Sequence, residues 1–533
     1  MKTIRWNDEW RGEILSRLNQ DWDLVIIGGG ITGAGIFRSA VSAGLKTLLL
    51  EASDFAFGTS SRSSKLVHGG FRYLYNKQYH VTYESVTERQ RLLREAPALI
   101  DPLAFNLPNY DSYRIPSWMF NAGLAIYDFM GAKWDHRALS FQQMQRAIPG
   151  LSPDGFRKGF RYFDAVLDDA RLVFRIIRET VADGGTALNY ARVVGFLRDR
   201  QGGVRGVTLQ DMSSPQQEIL EIAARAVINA SGPWSDQVRS PLQMPDKLRP
   251  LRGSHIILPG QRLPVTEAIT FFHPHDKRAM FVIPWEGTTM VGTTDIDHSG
   301  ANFQASAEPF ADRSEIDYIL AGVSFLFPLT EITHKDILST FAGLRPVINT
   351  GAATPSKESR AHQVWIEHGL ITVSGGKLTT FRIMARDTLE QVARVIGQPI
   401  KIDPRLPMLK PLGGQTLRSA NPLERRLLGR SGVEASTIIK HASTQDLQHI
   451  NGLPASWAEL KFAASSEAVI HLDDLLLRRT RVGMLLPQGG RMWMPDIRAA
   501  VQDQLDWSDQ HWQQEHDRYF EIWKRYYSPN PGL

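Results

Sequence analysis

The 533 residues include no cysteine. Disulfides, iron–sulfur clusters, thiolate zinc sites and a cysteinyl flavin link are thereby excluded. No stretch of about 18 uninterrupted apolar residues occurs, so no membrane-spanning helix is expected. The opening segment Met1–Gln20 is charged and lacks an apolar centre, unlike a secretory signal. Internal repeats, low-complexity tracts and nucleic-acid-binding motifs are also missing. What remains is ordinary soluble composition, 42% hydrophobic and 22% charged, in a chain long enough for two or three domains at roughly 100–200 residues each. A formal net charge of +5, dispersed along the chain, suits anionic small molecules or an anionic membrane surface better than nucleic acid.

The most informative segment is Asp23-Leu-Val-Ile-Ile-Gly28-Gly-Gly30-Ile-Thr32-Gly33-Ala-Gly35. A helix-compatible stretch follows, then a second strand, Lys46-Thr-Leu-Leu-Leu, ending in Glu51. Strand, Gly-x-Gly-x-x-Gly, helix, strand and acid form a dinucleotide-binding unit. Gly28 permits the tight turn, Gly30 lets a pyrophosphate approach the backbone, and Gly33 allows close helix–strand packing. The helix N-terminus presents free N–H groups and the positive end of its dipole to the phosphates. Glu51 is placed to accept hydrogen bonds from a ribose, and an acid there disfavours a 2′-phosphate.

Further strand-like segments lie far along the chain. They include Ala226-Val-Ile-Asn-Ala-Ser-Gly232-Pro-Trp234, His255-Ile-Ile-Leu, Phe281-Val-Ile-Pro and Leu370-Ile-Thr-Val-Ser-Gly375-Gly376-Lys377-Leu378-Thr379-Thr380. The last runs into an amphipathic helix beginning at Phe381. The nucleotide domain is therefore expected to be discontinuous, with a substrate domain inserted. From about Ile402 prolines and the Gly413-Gly414 pair mark a linker, and helical patterns dominate beyond it.

Four segments carry a resemblance. They are Gly58-Thr59-Ser60-Ser61-Arg-Ser-Ser64-Lys65-Leu66-Val-His68-Gly69-Gly-Phe-Arg72-Tyr73; Asp168-Asp-Ala-Arg171; Gly253-Ser-His255 with Asp276-Lys-Arg-Ala-Met-Phe-Val-Ile-Pro284-Trp and Gly292-Thr-Thr-Asp295; and Ala342-Gly-Leu-Arg345-Pro, Ser359-Arg360-Ala-His362 and Gly375-Gly-Lys377-Leu-Thr-Thr-Phe-Arg382. In order and approximate spacing the chain resembles the FAD-dependent, quinone-linked glycerol-3-phosphate dehydrogenases of the D-amino-acid-oxidase-like flavoprotein group. The match extends into a C-terminal segment, Leu472-Asp-Asp-Leu-Leu-Leu-Arg-Arg-Thr-Arg.

This resemblance implies an α/β fold with three parts. A discontinuous Rossmann-like FAD-binding domain would take residues 20–75, 155–255 and 340–400. An inserted α+β substrate domain would take 76–154 and 256–339, and a mainly helical C-terminal domain 401–533. FAD would be held by Gly28, Gly30, Thr32, Gly33, Glu51, Thr59, Ser60, Ser61, Ser64, Lys65, Leu66, His68, Gly69, Gly232, Trp234, Gly375, Gly376, Lys377, Leu378 and Thr379. The helix after Gly375-Gly376 would point its N-terminus at the flavin pyrimidine and stabilise negative charge there. Arg72, Tyr73, Arg360 and Lys377 would bind the substrate phosphate, arginine offering a rigid fork to its oxygens. His255 would be the base, its ordinary pKa of ~6.5 suiting neutral pH, with Arg345 polarising the C2 oxygen. His68 is the alternative base, or a flavin neighbour.

The implied reaction oxidises sn-glycerol 3-phosphate to dihydroxyacetone phosphate, with electrons passed to a membrane quinone. The chain would then work in the cytoplasm, as a peripheral protein on the inner face of the cytoplasmic membrane. Two segments suggest the contact: Ile115–Met130, apolar and aromatic, and Arg518–Tyr527, basic and aromatic. For both, packing on the protein core is the competing reading. Nucleic acid and metal are not expected, and the oligomeric state stays open, a homodimer included. The rivals are an oxygen-using oxidase of the same fold, which the lack of an extra insertion disfavours; a dehydrogenase of another polyol phosphate; and a non-enzymatic or RNA-modifying flavoprotein, which the arginine set and the missing cysteine disfavour.

Overall fold

The computed structural model describes residues 5–69, 79–131, 134–214, 216–298, 308–351, 358 and 361–530. Helix α1 (Asp8–Ser16) leads into strand β1 (Trp22–Ile27), helix α2 (Ile31–Ser42) and strand β2 (Thr47–Leu50). The unbroken apolar runs of β1 and β2 suit strands buried on both faces. The chain then crosses to a second sheet through β3 (Leu66–Val67), α3 (Tyr79–Glu95), β4 (Ile100–Tyr110), α4 (Ser117–Met130) and β5 (Phe156–Leu167). It returns by α5 (Asp169–Ala182) to β6 (Thr186–Leu188), and through a hairpin to β7 (Ile219–Asn229). Strands β8 (Leu248–Pro259), β9 (Ala268–Phe272), β10 (Ala279–Trp285) and β11 (Thr288–Gly292), helix α6 (Arg313–Leu326) and strand β12 (Ser339–Ile348) complete the second sheet and cover it. Strands β13 (Gln363–Glu367) and β14 (Leu370–Ser374) finish the first, and α7 (Phe381–Ile396) packs on it. Helices α8 (Pro422–Ser431), α9 (Trp457–Ser466) and α10 (Asp509–Tyr526) belong to the C-terminal part.

The first sheet runs β13-β14-β7-β1-β2-β6, with β14 through β6 parallel and β13 an antiparallel edge. Residues of α2, α5 and α7 share its core with Leu24, Ile26 and Ile228. The second sheet runs β8-β11-β10-β9-β4-β5-β3, and β12 also pairs with β8. Strands β5 and β12 were expected to lie with the nucleotide segments. They sit in the second sheet instead, as does all of β8 from Leu248. Alternating apolar residues reveal that a strand exists, but not which neighbour it pairs with.

Side chains on β8 alternate between two cores. Ile256 and Leu258 face Ile316, Ile319 and Val323 of α6. Ile257 faces the other way, into a core shared with Leu476, Leu477, Trp512, Tyr519 and Trp523 of the C-terminal part. His255 and Gly253 lie on the Ile257 side, so the candidate chemistry sits under the C-terminal helices rather than under α6.

Candidate active site

The parallel strands β1, β7 and β14 end side by side. Ile27 is level with Asn229 and Leu50, and Asn229 with Thr372. The turns carrying Gly28, Glu51, Gly232 and Gly375 therefore form one rim at the carboxyl edge of the sheet, where open α/β sheets bind ligands. Gly28 has φ +113°, and a Cβ there would sit 2.6 Å from the Ala230 carbonyl oxygen. A Cβ on Gly33 would collide with the Gly28 carbonyl, so α2 seats directly on the turn. Gly30 caps α2 without a side chain, which leaves the first turn facing the rim. The Ile31 N–H donates to Ser60 Oγ at 2.9 Å. Glu51 accepts from the Gly29 and Ser53 N–H groups at 2.7 and 2.9 Å. Burial still raises its pKa, outweighing those bonds. Trp234 lies against Gly58, and its indole Nε1 is buried with no partner among the described residues.

The segment 58–69 bridges the two sheets. The Thr59 hydroxyl donates to the Leu344 carbonyl of β12, and a Cβ on Gly343 would meet the Arg62 carbonyl at 2.6 Å. Ser60 accepts from Ile31 and keeps its own proton to donate. Ser61 turns its hydroxyl to the Phe57 and Gly58 carbonyls, both at 3.3 Å. Lys65 departs from expectation. Its ammonium is fully buried, 2.9 Å from Asp169 Oδ2 and 2.5 Å from the Ser61 carbonyl. Burial lowers its pKa to about 8 against the pull of Asp169. Its side chain braces the loop from inside, so any part in cofactor binding falls to its backbone. Leu66 and Gly69 are buried too, the Gly69 N–H donating to Tyr127 Oη at 2.7 Å. His68 is half-buried beside Phe281, within electrostatic reach of Lys377; burial lowers its pKa.

Across the loop lies a floor made from two glycines. His255 of β8 is level with Gly292 and Phe341, and Gly253 with Gly343. A Cβ on Gly292 would strike the His255 ring, and one on Gly253 the Arg345 guanidinium. These side chains occupy the places the glycines leave. The imidazole stacks on Phe341 at 4.7 Å and 9°, and Nε2 is 2.9 Å from Ser64 Oγ. Nδ1 is buried with no partner among the described residues. Burial, then Lys65, then Arg345 hold the His255 pKa well below its ordinary 6.5, so the ring is neutral at pH 7. Arg345 donates to Asp295 Oδ1 at 2.9 Å and Thr293 Oγ1 at 3.0 Å.

Among the remaining candidates, Gly375 and Gly376 form the turn before Lys377, whose N–H donates to Thr380 Oγ1 at 2.9 Å. A short 3-10 turn, Leu378–Thr380, intervenes before α7. Thr379 directs its hydroxyl away, to Ser85 at 3.0 Å. Thr32 lies in the first turn of α2, half-buried. Arg72, Tyr73 and Arg360 fall outside the described residues. A cavity of about 350 Å³ bounded by Trp285, Arg426, Arg430 and His449 holds none of the residues assigned to cofactor or substrate.

A family model described as "FAD dependent oxidoreductase" matches residues 23–390, and one described as "C-terminal domain of alpha-glycerophosphate oxidase" matches 409–512. An aerobic glycerol-3-phosphate dehydrogenase of Staphylococcus haemolyticus is 33% identical over 494 residues, 87% of each chain. This chain belongs to the FAD-dependent glycerol-3-phosphate dehydrogenase family. The crystal structure of the Bacillus halodurans glycerol-3-phosphate dehydrogenase complexed with FAD superposes with a TM-score of 0.78 at 27% identity, over 99% of both chains. The L-α-glycerophosphate oxidase of Mycoplasma pneumoniae shares the fold (TM-score 0.54, 15% identity) across 74% of this chain and 99% of its own. The family's cofactor is FAD, and the rim fits it: a backbone cradle that side chains would fill, a helix start capped by a bare glycine, a buried acid and a buried indole N–H without a partner among the described residues.

Sequence reading missed two features. Asp295 fixes Arg345. A buried ion network joins Asp168 and Asp169 to Arg430 and Arg481, and Asp54 to Arg478 and Arg479. Asp295, Asp168, Asp169, Arg478, Arg479 and Arg481 lie in segments that carried the resemblance, whereas Asp54 and Arg430 do not. Their roles were illegible because their partners are tens to hundreds of residues away.

Proposed function

We propose that this chain oxidises sn-glycerol 3-phosphate to dihydroxyacetone phosphate and delivers the electrons to a membrane quinone. The observation that carries the reading is the neutral, buried His255, with one ring nitrogen tied to Ser64, the other unpartnered among the described residues, and Arg345 near it. When bound, FAD would supply the two-electron, hydride-accepting chemistry of the oxidation. The chain's own residues handle the rest. With Nε2–H donated to Ser64, His255 Nδ1 is the acceptor for the C2 hydroxyl proton. Arg345 supports the negative charge growing on the C2 oxygen. Phe341 covers one face of the His255 ring, and Phe341 and Trp285 both shield the Lys65 ammonium from bulk water. Arg72, Arg360 and Lys377 are the proposed phosphate ligands, with Tyr73 beside them. The rim residues Gly28, Gly30, Thr32, Gly33, Glu51, Ser60, Gly232, Trp234, Gly375 and Gly376 are proposed to hold FAD.

For the electron exit, no described helix is long and apolar enough to cross a membrane. Helix α4 buries Phe120, Leu124 and Tyr127 but leaves Trp118 70% and Phe129 79% exposed, with Met119 and Ile126 also outward. That unpartnered aromatic face, with exposed Trp134 near its end, is the proposed contact with the cytoplasmic side of a bilayer. Residues 518–527, the other candidate, are largely committed to the core: Tyr519, Phe520, Trp523 and Tyr527 are buried.

Anaerobic mixing of the purified holoenzyme with glycerol 3-phosphate should bleach the flavin absorbance, and a quinone analogue should restore it without peroxide. An unbleached flavin would refute the substrate. Peroxide produced in air at the rate of substrate oxidation would replace quinone by oxygen.

A further inference from the structure

Arg345 does not stand alone at the end of β12. Its Nη1 is 2.9 Å from Asp295 Oδ1, and the other carboxylate oxygen, Oδ2, is 3.1 Å from Nη1 of Arg278. The Asp295 side chain is only 3% exposed, whereas Arg345 and Arg278 are 27% and 20% exposed. A buried carboxylate thus grips two cations that both reach toward solvent. Arg278 is held from its far side by Asp276, 3.6 Å away and half exposed, which in turn accepts from Tyr318 Oη at 2.8 Å. Tyr318 is fixed by stacking on His273 at 3.7 Å. The chain of contacts runs from α6 through the start of β10 to Arg345.

We propose that Asp295 is a positioning residue for Arg345, and that Arg278 keeps the pair electropositive by sharing the same carboxylate. This rests on the reading above that Arg345 acts on the substrate. The physical need is specific. An arginine side chain has many rotamers, and transition-state stabilisation requires a donor already in place. One carboxylate on Arg345 alone would fix it but cancel its charge. Divided between two guanidiniums, the buried carboxylate leaves one positive charge over in the Arg345–Asp295–Arg278 triad; Asp276, half exposed and 3.6 Å from the far side of Arg278, offsets it only through a solvent-screened contact remote from Arg345. Gly253 completes the arrangement, since any side chain there would occupy the guanidinium's place.

The test is a double-mutant cycle on the FAD-loaded protein, read by single-turnover flavin reduction with glycerol 3-phosphate. Asp295→Asn should lower the limiting reduction rate about tenfold, with a smaller change in substrate Kd and with FAD content and melting temperature kept. In an Arg345→Gln background, already slow, Asp295→Asn should cost little more. Equal losses in both backgrounds, or a wild-type rate for Asp295→Asn beside a slow Arg345→Gln, would overturn the inference while leaving the reading of Arg345 intact. A wild-type rate for Arg345→Gln would remove that reading and the inference with it. Should Asp295→Asn not fold, Arg278→Gln serves: it leaves Arg345 gripped but neutralised, so the limiting rate should fall, and an unchanged rate counts against the proposal.

Discussion

His255 illustrates how much a single residue depends on its surroundings. A lone histidine on a strand carries no assignment by itself; stacking on Phe341, a Ser64 bond at Nε2 and burial beside Lys65 keep it neutral and in a fixed orientation, as the proposed base requires. His255→Gln should keep FAD bound and slow flavin reduction on the order of 10²- to 10⁴-fold, the usual worth of a general base. Rapid-mixing absorbance measurements decide this, and a rate like wild type would remove the role. The pH dependence has a definite sign. The base works when neutral, and its pKa is depressed, so kcat/KM should stay level near pH 7 and fall only as pH drops well below 6.5. An acid limb centred at or above 6.5 would assign the titration to another group.

At the scale of elements, the junction of α5 with the C-terminal helices is electrostatic as well as apolar. Asp168 caps α5 by accepting from the Arg171 N–H, and pairs with Arg430 at 2.9 Å and Arg481 at 2.8 Å, all buried. Asp169, the first residue of α5, holds Arg481 at 2.6 Å and Lys65 at 2.9 Å. This ties the C-terminal part to the loop that carries Ser64. Removing one member leaves uncompensated buried charge, which costs about 3–5 kcal/mol. Asp168→Asn should therefore lower the melting temperature at pH 7 and loosen the C-terminal helices to proteolysis. Burial alone would raise the Asp168 pKa, but Arg481 and Arg430 outweigh it and hold the carboxyl far below its ordinary range. Its stabilisation is present above the unfolded pKa of about 3.9 and is lost as pH falls toward the depressed folded value. The gap between wild type and variant should narrow once pH drops below about 4.

For the whole molecule, the two sequence segments proposed for the bilayer come apart. Helix α10 donates from Trp523 Nε1 to the Gly483 carbonyl at 2.9 Å and from Tyr519 Oη to the Gly489 carbonyl at 2.7 Å. The Tyr527 carbonyl accepts from the Thr340 N–H of β12 at 2.8 Å. Its aromatics brace the sheet that carries His255. Helix α4 alone of the two presents aromatics outward. In co-sedimentation with anionic liposomes at low salt, Trp118→Ser with Phe129→Ser should weaken binding by on the order of a hundredfold, each apolar side chain contributing roughly 1.5–3 kcal/mol when buried, without changing flavin reduction by substrate. Binding unaffected by the pair, or absent in the wild type, would discard this surface.

The cofactor cradle was legible because it is local. Strand, glycines, helix, strand and Glu51 fall within about 30 residues, and the constraint on Gly33 comes from the carbonyl of Gly28, a near neighbour in the chain. The sequence alone therefore determined the dinucleotide unit, the cysteine-free chemistry and, through its motifs, the family. It could not assign β5 and β12 to the second sheet, turn the Lys65 ammonium inward, place Asp295 under Arg345 or decide which aromatic segment is covered. Those are pairings between residues far apart in the chain. They arise only when sheet register and helix docking fix which polar groups lose water together, and a buried charge then takes whichever partner the fold has brought within reach.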